Sequence, residues 1–128
     1  MNQRIALGLA MLAGAPFGAV AVNELNTQNK PPGAYAVIDI SEISNPDVFK
    51  ILLPKTGPSM NAFGGKNVIL TENIVGLDGT PPKRFVVIAF DSMEKAKAWD
   101  SSPAQKEITG IRTKSTKSRA FIADGTLN

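Results

Sequence analysis

The chain has 128 residues, 14 basic against 11 acidic side chains, a formal charge of +3, and neither cysteine nor histidine. Those absences exclude disulfides, cysteine nucleophiles, Cys/His zinc sites, a Ser-His-Asp triad and histidine-ligated haem, leaving proton transfer to Asp, Glu, Lys, Arg or the single Tyr35. Mild basicity without a dense Lys/Arg face excludes the pattern of a nucleic-acid binder, the length suits one domain, and no acidic cluster with loop spacing calls for a metal or cofactor.

Arg4 is the one charge before Glu24, and residues 5–22 carry none. A short positive start, an apolar middle and Ala19-Val20-Ala21 at its end form the secretory signal pattern, with residues 1–21 removed. The alternative is an uncleaved anchor over residues 5–22, although a span needs ~20 apolar residues and this run is interrupted by Gly8, Gly14, Pro16 and Gly18. The same residues oppose a buried helix. Export to the periplasm or beyond the cell is the expected address, with membrane contact only through that segment if uncleaved. Residues 22–33, ending in Pro31-Pro32-Gly33, read as a flexible linker, and residues 34–125 as the folded domain. Without disulfides the domain must hold together by packing alone.

Ala34–Ile40 is rich in β-branched and aromatic residues and predicts a strand. Asn45 caps a helix, Pro46 takes its first position, and Asp47 favours the positive end of the dipole. Val48, Phe49, Leu52 and Leu53 recur at helical spacing, but Pro54 and Pro58 predict a short or kinked helix with a second turn across residues 59–63. Gly64-Gly65 stops it. Lys66–Glu72 is a second strand, residues 73–83 an exposed connection with Asp78-Gly79 and Pro81-Pro82, and Arg84–Phe90 a third strand. Ser92 caps a helix with Met93, Ala96 and Trp99 on one face; Ser102-Pro103 restarts helix with Ala104, Ile108 and Ile111 as its apolar side. Arg119–Asp124 is the fourth strand.

This order predicts an α+β ferredoxin-like fold, βαββαβ, with helices on one face of a four-stranded antiparallel sheet. In Arg84–Phe90 both alternating sets are apolar, which marks a strand covered on both faces. The helices cover one. A second copy of the sheet is the expected cover for the other, so a homodimer is predicted.

Taken in order, Ala34–Ile40, Asn45-Pro46, Phe63-Gly64-Gly65, Pro82-Lys83-Arg84-Phe85, Phe90-Asp91-Ser92-Met93-Glu94, Ala98-Trp99 and Ser102-Pro103 resemble a bacterial family, domain of unknown function 1330, over about residues 33–125. The resemblance implies a dimeric α/β barrel, two ferredoxin-like sheets packed face to face, and no established activity. Many members place an aromatic after the tryptophan and a histidine before Gly-Gly. This chain has Asp100 and Phe63 there, so no role resting on those groups carries over.

Five residues are candidates for lining a ligand site: Tyr35, Asp39, Arg84, Trp99 and Ser102. Arg84 reads either as a bidentate anion holder or as a strand-end arginine paired with a surface acid. Asp39, in an apolar strand, reads as a site acid or as a turn cap near Ser41. Trp99 reads as core, or as a stacking platform. Ser102 reads as an N-cap near a pocket mouth. Arg112, Lys114, Lys117 and Arg119 read as solvated cations around a helix C-terminus, with contact to an anion or a lipid headgroup as the alternative. The leading expectation is an exported homodimer binding a small organic molecule between sheet and helices. Its alternatives are a cofactor-free oxygenase or isomerase using Tyr35, Asp39 and Arg84, implied by likeness to the dimeric α/β barrels, and a structural dimerisation module without ligand.

Overall fold

Seven elements follow one another in the computed structural model, which describes residues 33–126. The expected signal segment 1–21 and nearly all of the linker 22–33 lie outside the described residues. The elements are β1 (Ala34–Ile43), α1 (Pro46–Asn61), β2 (Lys66–Thr71), β3 (Arg84–Phe90), α2 (Met93–Ser101), α3 (Pro103–Ser115) and β4 (Thr116–Asp124). The four strands form one antiparallel sheet in the order β2-β3-β1-β4. This is the ferredoxin-like topology, as expected. Among the described residues no helix is long and apolar enough to cross a membrane.

Local signals start the helices where they were expected. Asn45 Oδ1 accepts from Val48 N at 3.2 Å, Ser92 Oγ from Lys95 N at 3.1 Å, and Ser102 Oγ from Gln105 N at 3.2 Å. α1 departs from expectation, because it runs unbroken through Pro54 and Pro58. The two prolines are four residues apart and both exposed, so the carbonyls they leave without intrahelical donors lie along one wet side of the helix. The opposite side keeps its packing through Phe49, Leu52, Ser59 and Met60. Burial there outweighs the lost hydrogen bonds.

Alternation divides each strand between two faces. Ala34, Ala36, Ile38 and Ile40 of β1 and Val86, Ile88 and Phe90 of β3 face the helices, in two apolar clusters. In one, Phe90 meets Trp99 with ring centroids 5.2 Å apart, beside Met60 and Ala96. In the other, Ile40, Phe49, Leu52 and Ile108 join β1 to α1 and α3. The opposite face carries Tyr35, Val37 and Asp39 of β1 and Phe85, Val87 and Ala89 of β3. Phe121 lies across from Val37, and Ile69 across from Val87. No described helix covers this second face, and Ile69 and Phe121 are 41% and 48% exposed on it.

Candidate functional site

Ser102 is the joint that shapes the interior. Besides capping α3, its hydroxyl donates to Trp99 O at 2.7 Å, fixing the bend between α2 and α3. Beyond the bend, Gln105, Ile108, Arg112 and Ser115 are buried at spacings of three and four, so they form one inward stripe of α3. Ser59 of α1 donates to Gln105 Oε1 at 2.9 Å inside the layer, and Lys55 pairs with Glu107 at 3.3 Å outside it. α1 and α3 are thereby held together above the sheet.

The space beneath them is not filled. A cavity of about 170 Å³ lies between β1, β2, β3, α1 and α3, walled mainly by Ile38, Ile40, Phe49, Leu52, Met60 and Ile108. A second space, about 210 Å³, lies toward β4 and includes Asp100 in its wall. Ile38, Trp99, Gln105 and Arg112 belong to the walls of both. An engineered apolar cavity of about 150 Å³ accepts benzene, so either space suits a ring-sized molecule.

Two polar groups in that shared wall lack partners. Trp99 Nε1 and Arg112 Nε are buried and make no hydrogen bond with a described residue. Trp99 is 4% and Arg112 9% exposed. Arg112 makes no ion pair with a described residue. Its burial lowers the guanidinium's pKa below the ordinary arginine value, and the negative charge of Asp100 partly opposes that shift. Both groups are donors only, so each is open to an acceptor that the described residues do not supply. An unmade buried hydrogen bond costs about 1–3 kcal/mol, more at a charged group. The site is therefore apolar on most sides and short of acceptors on one.

The residues expected from sequence are distributed around this geometry. Trp99 lines the cavity as well as packing in the core. Arg84 lines its outer part, with its guanidinium 5.7 Å from the Phe49 ring centroid and paired to Glu72 Oε2 at 2.9 Å. The surface-acid alternative for Arg84 is thus what the structure shows, at a cavity wall. Ser102 is the cap between α2 and α3 and sits on a separate shallow groove beside Pro54 and Pro58. Tyr35 and Asp39 point to the opposite sheet face, where Asp39 meets Arg119 Nε at 3.4 Å. Tyr35, Asp39 and Arg84 therefore do not gather in one cavity within a subunit. Arg112, expected among solvated cations, is instead buried, while Lys117 and Arg119 of the same run are exposed and paired with Glu42 and Asp39. The missed signal was its spacing: Gln105, Ile108 and Arg112 repeat at helical period on the apolar side of α3.

Residues 33–126 match the model of the family described as "Domain of unknown function (DUF1330)". No curated protein matches the sequence. Among solved structures, the RPA0582 protein of unknown function from Rhodopseudomonas palustris is similar at 14% identity and TM-score 0.62, covering 84% of this chain and 93% of that one. SnoaB, a cofactor-independent oxygenase from Streptomyces nogalater, is similar at 13% identity and TM-score 0.52, covering 76% of this chain and 96% of that one. At such identities the likeness is one of fold.

Proposed function

We propose that this chain, which belongs to the DUF1330 family over residues 33–126, is an exported homodimer that binds one small organic molecule per subunit between its sheet and helices. The observation that carries the binding reading is the pair of buried donors without partners, Trp99 Nε1 and Arg112 Nε, in the wall of a largely apolar cavity. Ligand sites have this make-up, with apolar walls and a few polar groups that fix orientation. Export is supported by Arg4, the uncharged run 5–22 and Ala19-Val20-Ala21. Dimerisation is supported by the apolar second face of the sheet.

Thermal unfolding of the purified protein against ring-sized and short-chain organic compounds, neutral and acidic, tests the binding reading. At least one class raises the melting temperature, and Leu52→Trp, which fills the cavity from α1, removes that rise. If no class stabilises the protein, the cavity is packing slack and the binding reading fails.

A further inference from the structure

Resting on the reading that this cavity binds a ligand, we infer that the ligand is a monocarboxylic acid with a ring-sized apolar body, its carboxylate held at the wall formed by Arg112 and Trp99. Charge argues first. Arg84 already has Glu72 at 2.9 Å, whereas Arg112 has no ion-pair partner among the described residues. Asp100, in the wall of the adjoining space, acts on Arg112 from beyond ion-pair distance and does not engage its fork, so the direct contact is left to an incoming anion of single charge. A dianion such as a phosphate would bring an excess charge into an apolar enclosure, where desolvation penalises it.

Hydrogen-bonding capacity argues next. Guanidinium and indole N–H groups only donate, and an ionised carboxylate only accepts, through two oxygens. The planar fork of arginine matches those two oxygens, and such charge-assisted bonds are about twice as strong as neutral ones. A neutral amide of the same shape offers one acceptor oxygen and would turn an NH₂ toward the remaining donor. The volume sets the rest: about 170 Å³, walled by Ile38, Ile108 and other apolar side chains, admits a six-membered ring.

The test compares cyclohexanecarboxylate with cyclohexanecarboxamide, probes of equal shape that do not absorb where indole is excited. Trp99 is the chain's single tryptophan and lines the cavity, so its emission reports occupancy directly. The carboxylate is expected to bind at least about tenfold more tightly than the amide, as a charge-assisted contact implies. R112M weakens the carboxylate far more than the amide and so erases the preference between them; R112K, which keeps the charge but not the fork, falls between. R112K alone decides if R112M does not fold: an undiminished preference for the carboxylate there overturns the role of the fork. Equal binding of amide and carboxylate overturns the acid assignment while the binding reading stands. If neither probe moves the emission or the melting temperature, both fall.

Discussion

Gly64 adopts φ +75°, a left-handed conformation that crowds any Cβ, whereas at Gly65 a Cβ would stand 2.8 Å from the Phe90 ring. Neighbouring glycines thus answer separate demands, one from the chain's own turn and one from the core across it. Gly64→Ala is expected to cost about 1–2 kcal/mol through backbone strain. Gly65→Ala is expected to cost about 1–3 kcal/mol through overpacking against Phe90. Denaturant midpoints measure both, and a Gly65 variant as stable as the wild type would show that Phe90 has room to shift. Arg112 makes the opposite prediction. Burial lowers its pKa in the folded state, so the charged form opposes folding at every pH below that lowered value. Relief comes only in strong alkali, and the penalty is constant across the neutral range. Arg112→Met should therefore raise stability, by ~1–4 kcal/mol if it follows other replacements of buried charge by apolar groups. The rise should be equal at pH 6 and pH 8 in a calorimeter. A loss of stability would mean that Arg112 is already satisfied in the free protein.

α1 shows where local rules yield to packing. Pro54 and Pro58 contradict a helix by propensity, yet Phe49, Leu52, Ser59 and Met60 on the other side hold one continuous element from Pro46 to Asn61. Pro54→Ala restores the donor toward Lys50 O, and is expected to stabilise by about 1 kcal/mol or more, read from the melting temperature. No gain would show that the rigid ring lowers the entropy of the unfolded chain by as much as it costs the helix. The strands were legible for the converse reason: in β1 and β3 a short apolar run rich in β-branched and aromatic residues agrees with strand propensity and with burial, so their cores were readable to within three residues. Caps at Asn45, Ser92 and Ser102 were readable because the partner amide is three residues away. The site was readable only in part. Trp99 and Arg84 could be picked out one by one, but the burial of Arg112 depends on how α3 turns over the sheet after Ser102. Tyr35 and Asp39 were drawn toward the site by residue type, and strand alternation then sends them to the other face.

For the whole molecule, the second sheet face is where the proposed homodimer would pair. Val37, Phe85, Val87 and Phe121 lie together on it, and Phe121 and Ile69 keep 48% and 41% of their surface exposed. Burying such side chains contributes about 1.5–3 kcal/mol each, enough over two subunits to exceed the entropy lost on association. Light scattering at micromolar concentration is expected to give twice the monomer mass. Phe121→Asp, which places a charge in that face, is expected to give a folded monomer. A wild-type monomer under the same conditions would refute face-to-face pairing.

The cavity wall has a consequence for where such a protein is useful. Its ionisable lining residues on the α1 side are both arginines, Arg84 and Arg112. An acid-binding chamber built on histidine would load and unload as its medium soured or sweetened. This one keeps a fixed potential, so its occupancy follows the supply of its guest, down to the acidity at which the guest itself is protonated at about pH 4–5. Under the export proposed above, acidity would be set by the surroundings rather than by the cell, and above that limit such indifference would make the fraction filled a measure of the guest's concentration.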